Sequence, residues 1–284
     1  MLVSIAVLTR VISNSVGNLY QKKASEINSS VVVNLLSYLI MSIVCIIPSF
    51  MVDWSAFGVE FWINTIIAGV LCFLATISLI EALRIGELSV LAPINSYKSV
   101  IGLISAFVLL GELPCFREII CVLFIIIGSL FVLSDSREKF SFKVFLRRDI
   151  RLRFFALLCS GVEASFLKKI IIMSDFRIAF ILWCYSGFIC SFIAYLFLSD
   201  EKEKSVPKRN IINCFVIGAS LMLMQLTTNY VFSRMPVATA LALFQLSSLV
   251  SLFFGYKVYK ESNIFRKLVG TLIMISASVV ILLG

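Results

Sequence analysis

"LGELPCFREIICVLFIIIGSLFVL" (110–133) and "YKESNIFRKLVGTLIMISASVVIL" (259–282) lie near the ends of the two halves of a 284-residue chain. Laid over one another without a gap, they put Glu112 on Glu261, Phe116 on Phe265, Arg117 on Arg266, Leu123 on Leu272, Ser129 on Ser278 and Leu133 on Leu282. Further upstream, "SVGNLYQKK" (15–23) matches "GVEASFLKK" (161–169), pairing Lys22 with Lys168 and Lys23 with Lys169. The offset drifts only from 146 to 149 residues along the chain. Apolar residues coincide easily, but Phe-Arg and Lys-Lys pairs in the same order do not. The chain reads as one unit written twice.

Composition says what that unit is made of. The chain is 60% hydrophobic and 14% charged, with a mean hydropathy of +1.04, against about 45–50% and 25% for a soluble domain. Runs of roughly 18 or more apolar residues suggest membrane helices. Here charge, Gly and Pro divide ten such runs, at about 2–21, 29–51, 60–82, 88–110, 116–134, 152–173, 177–198, 211–232, 236–257 and 265–284. In lipid the backbone must satisfy its own hydrogen bonds, and uninterrupted runs of this length mean helices rather than barrel strands. The expected fold is therefore an all-α polytopic membrane protein of ten transmembrane helices. Residues 1–135 form one five-helix repeat, 136–150 a basic connecting loop and 151–284 the second repeat. Five is odd, so the second copy inserts upside down relative to the first. Inverted repeats of this kind hold a solute near the bilayer midplane in many secondary transporters.

The net charge of +9 does not indicate a nucleic-acid partner, because the cations sit in connections between apolar runs, as membrane proteins arrange them. Eighteen lysines and arginines lie in odd-numbered connections and five in even-numbered ones, which places the odd connections in the cytoplasm and both termini outside. The eight cysteines form no CxxC pair and histidine is absent, so neither a disulfide framework nor a metal or other cofactor site is expected. The N-terminus "MLVSIAVLTR" has no basic n-region and no small-residue cleavage site, so the first span is expected to anchor the protein.

At this point the sequence resembles the EamA-type permeases of the drug/metabolite transporter superfamily. The features that carry the likeness are five plus five spans, the stretch "EALRIGELSVLAPINSYKSVIGLISAFVLLGE" (81–112) and the acidic residue closing spans four and nine. The resemblance covers essentially the whole chain. It implies a central cavity lined by spans one to four and six to nine, with spans five and ten peripheral. It implies little about substrate, since members carry amino acids, nucleotide sugars, drugs and other metabolites. Two features depart from the family: Gly111-Glu112 of the first repeat becomes Lys260-Glu261 in the second, and the family usually places both termini in the cytoplasm, against the charge count.

Lys98 lies about ten residues, or about 15 Å, from either end of its expected span, and Glu163 is similarly central in span six. Each buried charge costs about 2.5–3.5 kcal/mol on insertion scales, so both should face protein or water rather than lipid. Helical spacing groups Leu91, Asn95, Lys98 and Gly102 on one stripe beside Tyr97, with Pro93 kinking the helix above them. Arg10, Asn14 and Asn18 recur every four residues in span one, as do Gln225 and Asn229 in span eight. In span nine Ser247, Ser251 and Gly255 form a small-residue stripe for close packing, with Gln245 adjacent. The Asn and Gln stripes are either cavity lining or interhelical glue, and Lys98 with Glu163 either a substrate site or a structural ion pair. Arg10 is within snorkelling reach of the terminus. Lys22, Lys23, Lys168 and Lys169 read as interface anchors, and Glu112 and Glu261 as helix ends at the interface.

The candidate substrate-binding residues are thus Lys98, Glu163, Asn95, Tyr97, Asn14, Asn18, Gln225, Asn229 and Gln245. They suit a secondary active transporter of a small polar metabolite in the bacterial inner membrane. Lys98 would hold a carboxylate or phosphate, and Glu163 an amino group or a coupling proton. A homodimer is compatible with this reading. The alternative in the same class is a proton-coupled exporter of lipophilic cations. A membrane-embedded enzyme lacks a nucleophile–base constellation, and no Walker motif is present to drive a pump.

Overall fold

In the computed structural model of this protein, the described residues are 2–98, 100–101, 104, 116–133, 145–198, 206–235 and 237–282. Gly102, Gly111, Glu112 and residues 136–144 of the connecting loop lie outside them. In chain order the helices are α1 (Leu2–Ser25), α2 (Ser30–Ser49), α3 (Val59–Ile85), α4 (Leu88–Leu91), α5 (Phe116–Leu133), α6 (Arg148–Met173), α7 (Phe176–Leu198), α8 (Lys208–Arg234), α9 (Val237–Leu243), α10 (Ser247–Tyr259) and α11 (Ile264–Leu282). There is no strand among the described residues. By length and composition α1, α2, α3, α8 and Phe176–Phe197 of α7 can each cross a membrane.

Local chemistry sets the ends. The Ser29 hydroxyl accepts from the Val32 amide and caps α2, supplying one of the acceptors that a helix N-terminus lacks. Helix α10 stops where Lys260 turns left-handed at φ 55°, with the Glu261 amide donating back to the Gly255 carbonyl at 3.2 Å.

Two expected spans are not continuous. In span four α4 gives way to a 3₁₀ turn at Pro93–Ser96, as the proline requires. In span nine a matching 3₁₀ turn at Phe244–Leu246 separates α9 from α10, although no proline marks it. The two repeats are broken at the same place.

Sidedness inverts that of a soluble protein. On α1, Ile5, Leu8 and Ile12 are exposed while Arg10, Ser13, Gly17, Asn18 and Gln21 are buried. The apolar face meets lipid and the polar face meets protein, because lipid cannot hydrogen-bond a polar group.

The main packing partners all join one repeat to the other. Helix α1 packs on α8, α3 on α6, α2 on α7, α5 on α11 and α4 on α10. Exchanging each helix for its counterpart turns the first two pairings into each other and leaves α2–α7 and α5–α11 unchanged, while α4, the counterpart of α9, meets the other half of span nine. That is the pattern an internal two-fold axis produces. Close approach is bought with small residues, as between membrane helices generally. A methyl group on Gly187 of α7 would collide with the ring of Tyr38 on α2, so this glycine is what lets that ring cross α7.

Candidate functional site

The interface between the repeats encloses a cavity of about 130 Å³. Its lining comes from spans one to four and six to nine, and none of it from the described parts of α5 and α11. Four charged side chains face it: Arg10, Lys98, Arg153 and Glu163.

The two helix breaks position the arginines. A break leaves carbonyls without intrahelical donors, and each set is met by a guanidinium from the opposite repeat. Arg153 of α6 donates through Nε to the Leu91 carbonyl at 3.0 Å and through Nη2 to Asn95 Oδ1 at 2.9 Å. Arg10 of α1 donates through Nη1 to the Phe244 carbonyl at 3.3 Å, and its guanidinium lies 4.2 Å from the Phe244 ring centroid. Arg10 therefore turns inward, and does not snorkel, because a desolvated carbonyl and an aromatic face await it inside. Ser15 Oγ donates to the Ser247 carbonyl at 2.9 Å and Ser248 Oγ to that of Ala92 at 2.9 Å, completing the repair of both breaks.

Six of the expected residues line the cavity: Lys98, Glu163, Asn95, Asn14, Asn18 and Gln225. Lys98 has no hydrogen bond or ion pair among the described residues, so the structural ion pair with Glu163 is not formed. Glu163 Oε1 instead accepts from Trp183 Nε1 at 2.9 Å. Three expected residues stand outside the lining. Tyr97 packs edge-on against Phe154 at 4.9 Å, because the 3₁₀ turn before it advances about 20° per residue more than an α-helix does. Gln245 is fully buried, taking Asn95 Nδ2 on Oε1 at 3.1 Å and donating to the Leu241 carbonyl at 3.0 Å. Asn229 accepts from Gln225 at 2.9 Å and donates to the Phe176 carbonyl at 3.2 Å. Of the two readings of the polar stripes, these two residues act as glue.

Sequence reasoning missed Arg153, which was counted with the cytoplasmic connection. The signal was present: Arg153, Ala156, Ser160, Glu163 and Leu167 recur at steps of three and four and all line the cavity. Gln21, one turn below Asn18, extends the α1 stripe in the same way. Tyr38 and Trp183, whose rings lie 5.0 Å apart, had no such signal, since aromatic residues are scattered through every span.

At the end of α3 a second polar cluster joins the repeats. Glu261 accepts from the Leu88 and Ser89 amides at 2.9 and 2.8 Å, which are the first amides of α4, and from Lys22 at 3.4 Å. Lys22 also donates to the Gly86 carbonyl at 2.7 Å, and Lys267 donates to Ser89 Oγ at 2.7 Å and pairs with Glu87. Lys168 makes the equivalent contact in the second repeat, to the Phe232 carbonyl. Lys22 and Lys168 are thus helix-end caps rather than headgroup anchors. Burial pushes the Glu261 carboxyl up, but the hydrogen bonds from Ser89 and Leu88 and the Lys22 ammonium outweigh it and hold the group below its ordinary value.

Residues 1–134 and 150–283 each match the EamA-like transporter family. With most of its length matched in two stretches, the chain belongs to that family: it is an integral membrane transporter built from two inverted five-helix repeats. Among the solved structures that match is a crystal structure with a TM-score of 0.70 at 9% identity, over 98% of this chain and 95% of the other. That likeness concerns the fold. No curated protein matches.

Proposed function

We propose that this protein is a secondary active transporter of a small anionic or zwitterionic metabolite, working by alternating access in a bacterial inner membrane. It acts as a carrier, not as an enzyme. The observation that carries the reading is Lys98, which lines the cavity between the repeats and has no hydrogen bond or ion pair among the described residues. A lysine at that depth costs about 2.5–3.5 kcal/mol, and a bound anion offsets the cost. The three cations of the lining against one carboxylate disfavour the alternative cargo, a lipophilic cation. Glu163 is the group for a substrate amine or a coupling proton, since burial disfavours a charged form that is not compensated.

Rocking of one repeat against the other would expose the cavity to each side in turn. The test is solute uptake or efflux in sealed vesicles with the wild type, Lys98→Ala and Glu163→Gln. Both variants are expected to lose most of their transport while still reaching the membrane. Undiminished transport in both would refute the roles given to these residues.

A further inference from the structure

We infer that the cavity takes an organic dianion, a dicarboxylate or a phosphomonoester, in preference to a zwitterion. This rests on the transporter reading and narrows its substrate class. The first ground is a charge balance. Arg10 and Arg153 direct their forks at backbone carbonyls and the Asn95 amide oxygen, all uncharged acceptors. Neither forms an ion pair among the described residues. Lys98 and Glu163 sum to zero whether both are charged or a proton has passed from one to the other. An arginine side chain does not deprotonate in proteins. Two positive charges, held by carbonyl and amide dipoles but matched by no carboxylate, therefore remain in the lining among the described residues. A zwitterion brings no net charge to meet them; a dianion brings two.

The second ground is independent of that sum. Gln21 is 1% exposed and neither its amide nitrogen nor its amide oxygen has a partner, yet it lines the cavity. Arg10 Nε is buried without an acceptor as well. Buried polar groups are nearly always hydrogen-bonded, so Arg10 Nε marks where a solute oxygen belongs, and Gln21, about 16 Å further along α1, marks a second polar point of the same lining. Guanidinium forks suit carboxylate and phosphate oxygens in particular. Because Arg10 belongs to the first repeat and Arg153 to the second, a doubly charged solute draws the two repeats together, and a singly charged one satisfies only one of them.

The experiment is calorimetric binding to the purified full-length protein in detergent. The probes are succinate and glycerol 3-phosphate as the two kinds of dianion, L-alanine as the zwitterion and glycerol as the neutral control. At least one dianion is expected to bind roughly ten-fold or more tightly than L-alanine, and Arg10→Gln and Arg153→Gln each to weaken it by a similar factor. Arg153→Lys should retain more of the affinity than Arg153→Gln. The ranking of succinate against glycerol 3-phosphate identifies which dianion is taken. The inference is overturned if L-alanine binds as well as both dianions, if neither dianion binds, or if both glutamine variants keep full affinity for the dianion. The wild-type ranking stands even if a variant fails to fold. Vesicle flux separates the two readings. A dianion that binds but never crosses sinks the transporter reading alone, and L-alanine crossing without dianion binding sinks this one alone.

Discussion

Lys22 and Lys168 occupy equivalent places in the two repeats and do equivalent work. Each ammonium donates to a backbone carbonyl 64 residues further along the chain, Gly86 or Phe232, at the C-terminal end of its own repeat's third helix. Lys98 and Ser247 are matched by the sequence offset just as well and do nothing alike. The ammonium faces the cavity, whereas the Ser247 hydroxyl donates to the Phe244 carbonyl at 2.8 Å and accepts from Asn14 at 3.2 Å. Every helix end leaves carbonyls to be satisfied, so a cation there serves both copies. The repeats differ at the cavity wall and agree where a helix end alone sets the demand.

The lysine pair is not perfectly symmetric, and this gives the largest expected effect. Lys22 also pairs with Glu261 and lies 4.5 Å from the Tyr259 ring centroid, while Phe232 is the acceptor found for Lys168 among the described residues. Lys22→Met takes the cation from a half-buried carboxylate, which keeps its two α4 amides, as well as from a carbonyl, and should cost about 2–4 kcal/mol. Lys168→Met removes one charged hydrogen bond and should cost roughly 1–2 kcal/mol. Melting temperatures in one detergent measure both. Equal losses would mean that the Glu261 link between the repeats contributes nothing to stability.

Glu261 sharpens the same point through pH. Its carboxyl is held below the ordinary value near 4.5 in the folded protein. A group whose folded value is depressed adds stability that is complete above its unfolded value and is lost as pH falls through the folded one. Glu261→Gln should therefore lower stability by about 1–2 kcal/mol at neutral pH. The gap to the wild type should close as the pH is taken below about 4.5. A gap that stays constant with pH would show that packing, not ionisation, matters at this position.

Much of this was legible in the sequence. The Lys22–Lys168 match set the repeat, and the periodic spacing of Arg10, Asn14 and Asn18 grouped them on one face, which the structure turns toward the cavity. Lys98 and Glu163 were legible because charge in the middle of an apolar run has few places to go. The break in span nine was not legible: "FQL" (244–246) continues an apolar run without proline or glycine. What holds it open is remote in sequence, the Arg10 and Ser15 side chains on the Phe244 and Ser247 carbonyls. Arg153 was hidden because a cation near a basic loop reads as part of that loop, although its spacing puts it on one stripe with Ala156, Ser160, Glu163 and Leu167. Tyr97, Gln245 and Asn229 were placed by spacing in straight helices, and spacing does not report a 3₁₀ turn or which neighbour takes the amide.

The smallest effect tests a place where the second repeat sets a non-glycine residue in a left-handed turn. The turn after α10 puts Lys260 at φ 55°, a left-handed conformation that glycine adopts without strain and other residues adopt at a cost. The matching residue of the first repeat is Gly111. The Lys260 side chain is exposed, so replacing it disturbs no core contact. Lys260→Ala keeps the steric cost and removes the charge, which near a helix C-terminus contributes about 0.3–1 kcal/mol. Lys260→Gly removes both, and gives back part of the gain through the greater freedom of the unfolded chain. The glycine variant should therefore be more stable than the alanine variant by up to about 1 kcal/mol, read as the difference between their melting temperatures. If alanine proves the more stable, the turn carries no strain at this residue, and lysine in place of glycine reflects the charge it brings beside Glu261 rather than a tolerated backbone penalty.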